Sequence, residues 1–248
     1  MGSGDTPVPH KKARGRCGRR AAEGRPGDAG GAVPGGAGCW GGSSQGTIAD
    51  MSPVTRGFRG RRNPDPGERV PPGQYLTRDF PVLSAGPTPH TPTSKGSLAI
   101  TRGATTLASW TWDEFTALPA ESITVDIHCV TRWSKLDTRW RGVPVQSLLG
   151  AVSSGYVMAH SDGGYTTNVP VSDLIGGKAW VAYSYDGGPL PPEHGGPARL
   201  LVPHLYLWKS AKWIKGIELL DHDVPGFWET LGYHNYGDPW REQRYQGD

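Results

Sequence analysis

Apolar and polar positions alternate in short runs along most of the chain. In "SITVDIHC" (122–129), Ile123, Val125 and Ile127 alternate with Thr124, Asp126 and His128, the period-two pattern of a half-buried strand. "SLAI" and "TTLAS" read as strands flanking a turn at Arg102-Gly103. "GYVMAHS", "GYTTNVP", "AWVAYSY", "ARLLVP" and "WIKGIELL" read as further strands. "SYDGGPL" carries the Asp-Gly signal of a hairpin. Helical signals are few. "TWDEFTAL" offers Thr111 as N-cap, Glu114 three residues on and Pro119 beyond the end. "PVQSLLGAV" fits a short helix opened by Pro144. This pattern predicts one strand-dominated α+β domain with a few short helices, compact from about residue 65 to 248.

The first fifty residues have a different texture. They hold 14 Gly, many Ala and Arg and almost no large apolar side chain, too little apolar surface to offset the entropy of ordering. Residues 1–50 are therefore expected to be a disordered Gly/Ala/Arg-rich extension, with Met51 as an alternative start, and residues 51–248 the working domain. Residues 52–96, rich in Pro, Gly and Arg, read as an extended segment with few regular elements.

Charge sharpens the division. The net charge of +3 belongs to the tail, with seven Lys/Arg against four Asp/Glu, while residues 51–248 hold 19 of each. A neutral body gives no electrostatic basis for binding nucleic acid. No apolar run approaches the ~18–20 residues of a membrane span. Neither Arg19-Arg20 nor Arg61-Arg62 is followed by the apolar stretch of an export signal. Of the three cysteines, Cys17 and Cys39 lie in the tail and Cys129 in the body, so no disulfide framework is visible and a reducing, cytoplasmic setting is expected.

Three places hold candidate chemistry. Cys129 comes at a strand–loop junction, with Thr-Arg-Trp-Ser-Lys after Val130. A lone cysteine is commonly a buried structural thiol; its place at a junction and the cations that follow favour a thiolate, a nucleophile or soft metal ligand. His128 is adjacent, but no spacing completes a zinc set. Second, "EHGGPARLLVPHLYLWKSAKWIKG" (193–216) places His194, Arg199, Lys209, Lys212 and Lys215 among small and apolar residues. This pattern fits an anion cradle, although carboxylates elsewhere in the chain could serve buried cations equally. Third, Tyr165 in "SDGGYTTNVP" follows a glycine turn, either as a donor to substrate or as a packing ring.

These motifs, in this order, resemble the molybdopterin domain of the sulfite oxidase family, over roughly residues 65–245. "HCVTRWS" resembles the segment whose cysteine ligates molybdenum, and "GYTTNVP" the loop with the active-site tyrosine. "AYSYDGGPLPPEHGGPARLLVPHLYLWKSAKWI" is similar to the long cofactor-binding stretch, and "YLTRDFPV" to the upstream loop whose arginine faces the substrate anion. In texture the chain is nearest to the bacterial sulfite-oxidase-like oxidoreductases that lack the dimerisation domain. The Ala-Gly-Asn that follows the cysteine in sulfite oxidases is replaced here.

The resemblance implies a strand-rich mixed sulfite-oxidase-type molybdopterin-binding fold and an oxidoreductase with a molybdenum–molybdopterin cofactor. Two-electron oxygen-atom transfer on a small S- or N-oxide or a sulfite-like anion would follow. Cys129 would be the metal ligand. Ser161, His194, Arg199, Ser210, Ala211 and Lys212 would hold the pterin and its phosphate. Arg78, Asp79 and Phe80 would line the site from the upstream loop, with Arg78 facing the substrate anion, and Tyr165 would sit near the oxo groups. No haem, flavin or iron–sulfur motif is present, so a separate electron-transfer partner is expected. Two other readings are a non-catalytic binding module that keeps the fold without metal, and a cysteine hydrolase using His128 or His204.

Overall fold

A computed structural model of the protein describes residues 67–248. The expectations placed on residues 1–50, on Cys17 and Cys39 and on the two arginine pairs lie outside the described residues. The described residues form strands β1 (Tyr75–Leu76), β2 (Ser97–Arg102), β3 (Thr105–Thr111), β4 (Glu121–His128), β5 (Trp133–Pro144), β6 (Tyr156–Ser161), β7 (Thr166–Pro170), β8 (Trp180–Tyr185), β9 (Gly188–Pro189), β10 (Arg199–Leu201) and β11 (Ile214–Leu220). The helices are short: α1 (Trp112–Ala117), α2 (Val145–Leu149) and α3 (Phe227–Thr230). The α+β expectation holds.

Two sheets carry the strands. In the first, β5 pairs with β4 along one edge; along the other it takes β1 in parallel at its start and β8 antiparallel at its end. β8 goes on to pair with β10 and β9. The second sheet runs β3-β2-β11-β6-β7, with β2 and β11 parallel and the other pairs antiparallel. Both sheets bury apolar side chains that alternate with exposed ones. The larger core holds Ile100, Val157, Val169, Leu200 and Ile217, each at most 2% exposed. Full burial of such a side chain contributes about 1.5–3 kcal/mol. A smaller cluster of Ile127, Cys129, Trp133, Trp140, Ala182 and Leu201 gathers at the cysteine end of the first sheet.

Local chemistry sets the element ends. Thr111 Oγ1 accepts from the Glu114 N–H at 3.3 Å while the Thr111 N–H donates to Glu114 Oε2 at 2.8 Å, so the expected capping box opens α1. Pro144 precedes α2. Asp186 (φ 50°) and Gly187 (φ 85°) turn β8 into β9, as a hairpin with two positive φ angles requires. β5 is the element that the period-two pattern does not announce. It bends at Asp137 (φ 55°), where the β4–β5 register shifts and the Asp137 N–H donates to Asp126 Oδ1 at 2.9 Å, the signature of a bulge. Arg69 braces this bend from the outside, bonded to both oxygens of Asp126 and to Asp137. No helix among the described residues is long and apolar enough to cross a membrane.

Candidate active site

Cys129 lies one residue past β4, in the turn that leads into β5. Its N–H donates to Trp133 O at 2.8 Å; its carbonyl accepts from Arg132 N at 3.0 Å and from Gln74 Nε2 at 3.1 Å. Three bonds on the backbone of one residue fix the turn, and its side chain lies on the wall of a cleft of about 520 Å³. Cleft size and lining are those of a small-molecule or cofactor site.

The thiol is 7% exposed and accepts from Thr131 Oγ1 at 3.1 Å. Burial raises its pKa above the ordinary value; the Thr131 hydroxyl and then Lys212 work in the opposite direction. The cations that follow Cys129 in sequence do not make it a thiolate, contrary to expectation. Arg132 is exposed, with φ 75°, and Lys135 Nζ donates to the Arg78 carbonyl. A metal ion at the sulfur would displace the proton instead.

Arg199 and Lys212 share the cleft wall with Cys129. Arg199 is 1% exposed; Nη1 donates to His194 O at 2.9 Å and Nη2 to Ser210 O at 2.6 Å. Lys212 Nζ donates to Leu83 O and Glu193 O, both at 2.7 Å. Among the described residues neither cation has a carboxylate in ion-pair contact. Burial pulls Arg199 down to about 10; burial and the nearby Arg199 pull Lys212 down to about 8. The close approach that assembles this corner depends on glycine: a side chain at Gly196 would meet Leu190 O at 2.1 Å.

The remaining predicted residues fall into two groups. Phe80, Tyr165 and Ser210 are on the cleft wall. Ser161, His194 and Ala211 are buried behind it. His194 stacks on Phe80 with ring centroids 3.9 Å apart, the Ser161 N–H bonds Tyr165 O, and the Ala211 carbonyl accepts from Leu200 N. Arg78 and Asp79 are a correction. Both are exposed and neither lines the cleft. The Thr77 N–H bonds Ser134 O and the Asp79 N–H bonds Thr77 Oγ1. This side-chain turn leaves residues 78 and 79 exposed and returns Phe80 to the cleft wall.

The residues fit a polar, anionic cofactor. Trp133 Nε1 on the wall, and Ser161 Oγ and His194 Nδ1 behind it, are buried without a hydrogen-bond partner. Each such group costs about 1–3 kcal/mol if left so. No trio of His, Cys, Asp and Glu among the described residues could hold a metal alone, so a metal beside Cys129 needs ligands from a cofactor. The hydrolase reading finds no base on the cleft, which neither His128 nor His204 lines. His128 Nδ1 lies 2.9 Å from Ser134 Oγ and burial lowers its pKa to about 4, while His204 pairs with Asp173.

The sequence pattern passed over the aromatic part of the lining. Trp208, Trp213, Phe227, Trp228 and Tyr233 all line the cleft, and Tyr165 OH donates to Trp208 O at 2.6 Å. The aromatic density of "GFWETLGYHNYGDPW" (226–240) was the available signal.

Residues 85–228 match the family model described as oxidoreductase molybdopterin binding domain. The oxidoreductase YuiH of Bacillus subtilis (strain 168) is 41% identical over 196 residues, 77% of this chain and 99% of that protein. A putative protein-methionine-sulfoxide reductase subunit of Azospira oryzae, YedZ1, is 31% identical over 134 residues, 52% of this chain and 50% of that one. The protein-methionine-sulfoxide reductase catalytic subunit MsrP of Gluconobacter oxydans is 29% identical over 132 residues, 45% and 42% of the two chains. The chain thus spans nearly all of the first relative and half or less of the other two. With the family model covering more than half of its length and its cysteine, cation and tyrosine motifs on one cleft, the chain belongs to the molybdopterin-binding oxidoreductases of the sulfite oxidase type.

Proposed function

We propose that the protein is a cytoplasmic molybdenum enzyme that removes oxygen from a small, uncharged S-oxide. The observation that carries this reading is the placing of Cys129 on a cleft lined also by two cations that lack carboxylates, the buried Arg199 and the half-buried Lys212. Cys129 supplies the thiolate to the metal, having lost its proton on binding. Arg199 and Lys212 hold the cofactor's phosphate, and the buried donors near them meet its pterin. When bound, the cofactor supplies two-electron oxygen-atom transfer. Overall, the S=O bond of the sulfoxide breaks, two electrons and two protons are taken up, and a thioether and one water leave. A separate redox protein delivers the electrons.

Two observations favour a neutral substrate over sulfite. Arg78, the expected anion-facing residue, is off the cleft, and the wall formed by Tyr165, Trp208, Phe227 and Trp228 carries no charge. The two relatives named as methionine-sulfoxide reductase subunits support the same substrate class. A free thiol such as Cys129 suits a reducing compartment.

The test starts with molybdenum and pterin analysis of protein made in a host that synthesises the cofactor. Metal and pterin near one per chain, with reduction of methyl phenyl sulfoxide and no oxidation of sulfite, are expected. Folded protein that takes up neither would return the chain to the non-catalytic reading. Turnover of sulfite alone would overturn the substrate assignment.

A further inference from the structure

Lys209 and Glu229 are each 1% exposed and meet at 2.6 Å. Sequence pattern grouped Lys209 with the cations of an anion cradle, but its ammonium is fully engaged inside the protein. Nζ also donates to Asn168 O at 2.9 Å, Asn168 Oδ1 at 2.8 Å and Asn235 O at 2.6 Å. Glu229 Oε1 accepts from Trp208 Nε1 at 2.9 Å and Thr167 Oγ1 at 3.1 Å as well. One carboxylate oxygen therefore gathers donors from β7 and from the segment 207–209, while the carboxylate itself rides on α3.

Those three segments build the aromatic wall of the cleft. Phe227 and Trp228 precede Glu229 on α3, Tyr165 precedes β7, and the Trp208 carbonyl accepts the Tyr165 hydroxyl. An ion pair this deep is a poor way to hold segments together, because an apolar pair of similar volume is often as stable or more so. What an apolar pair cannot supply is direction: an acceptor at one point for an indole N–H and a hydroxyl.

We propose that Lys209 and Glu229 are a positioning pair that sets Trp208, Tyr165 and Trp228 against the substrate. This rests on the reading of the cleft given above. Neither residue touches the cleft contents; both act through the wall.

Two charge-neutral double variants of the loaded enzyme test it. In K209M/E229Q the glutamine keeps an acceptor for Trp208 and Thr167; in K209M/E229L that acceptor is gone. The readouts are melting temperature, molybdenum per chain, KM and kcat for methyl phenyl sulfoxide, and binding of the unreactive methyl phenyl sulfone followed by tryptophan fluorescence. Similar metal contents are expected, with a lower melting temperature for the leucine variant because two buried donors lose their acceptor, and with its KM and sulfone Kd, read well below both transitions, about tenfold above those of the glutamine variant. Equal KM and equal Kd in the two variants overturn the proposal. If either fails to fold, T167V removes one of the two donors gathered by Glu229 Oε1 at nearly unchanged side-chain volume and off the cleft wall. A severalfold rise in its KM at unchanged metal content is expected, and an unchanged KM overturns the proposal. A metal-loaded wild type that reduces no S-oxide would sink the reaction assignment, while the sulfone comparison would still decide the positioning role.

Discussion

Lys209 and Lys212 stand three residues apart in sequence, the first fully buried and the second half-buried, and their partners differ. Lys209 has a carboxylate at 2.6 Å and three further acceptors. Lys212 has two backbone carbonyls, with Arg199 close enough to help pull its pKa down to about 8. The first cation is neutralised from within, and the chain gains a brace. The second keeps its charge uncompensated on a cleft wall, and the fold has left room beside it for an anion from outside. The distinction is chemical rather than positional: burial alone does not separate a structural cation from a ligand-binding one, and the identity of the acceptor does.

The comparison is broken most severely at Cys129, the proposed metal ligand, which shares the cleft with the unpaired cations. Cys129→Ser is expected to abolish turnover while much of the pterin stays bound, since on the proposed reading Arg199 and Lys212 would hold the phosphate without the thiolate. Activity assay and pterin fluorescence on one sample check it, and full activity removes the ligand assignment. Next comes the brace. Lys209→Met leaves Glu229 buried and unpaired, a loss of about 3–5 kcal/mol, read as a fall in the denaturation midpoint. A change below about 1 kcal/mol would mean that Glu229 takes up a proton or a water at little cost.

Lys212→Met should act on pH dependence instead. The folded pKa of about 8 is below the ordinary lysine value of 10.5. Between these values the unfolded chain binds more protons, so the cofactor-free protein should gain stability as pH rises from about 8 towards 10.5. The variant should lack this gain. Loaded wild type should lack it too, because a bound phosphate restores the charged form. Denaturant unfolding across that range, with and without cofactor, checks the sign. Loaded and cofactor-free wild type giving the same profile would take Lys212 away from the phosphate.

The strands that alternate cleanly were legible in sequence, and so was α1, because Thr111 and Glu114 satisfy each other locally. The first sheet's central strand was not. In "WSKLDTRWRGVP" the buried positions are Trp133, Ser134, Thr138, Trp140, Gly142 and Val143, interrupted by a bulge at Asp137. A bulge breaks period two in the element that lies at the middle of the sheet. At the site, Cys129, Arg199 and Lys212 carried enough chemistry to be picked out one by one. The aromatic wall left only a compositional signal and the Lys209–Glu229 pair none, because the contacts that assemble them join distant residues: 20 positions for Lys209 and Glu229, 43 for Tyr165 and Trp208. No local pattern encodes which cation will find a carboxylate.

The smallest expected effect sharpens this lesson at Arg78. Resemblance placed its guanidinium against the substrate, yet a two-residue turn built on Thr77 Oγ1 leaves it exposed and returns Phe80 to the wall. Its carbonyl, bonded to Lys135, is unaffected by changing the side chain. Arg78→Ala should therefore leave KM for methyl phenyl sulfoxide unchanged and shift stability by less than about 0.5 kcal/mol. Phe80→Ala, by contrast, removes the ring stacked on His194 and opens the cleft wall, so it should weaken cofactor retention. A severalfold rise in KM for Arg78→Ala would show that residues 77–79 turn inward when substrate binds. Uncompensated charge would then face substrate as well as cofactor, and the case for a neutral substrate would lose one of its two structural supports.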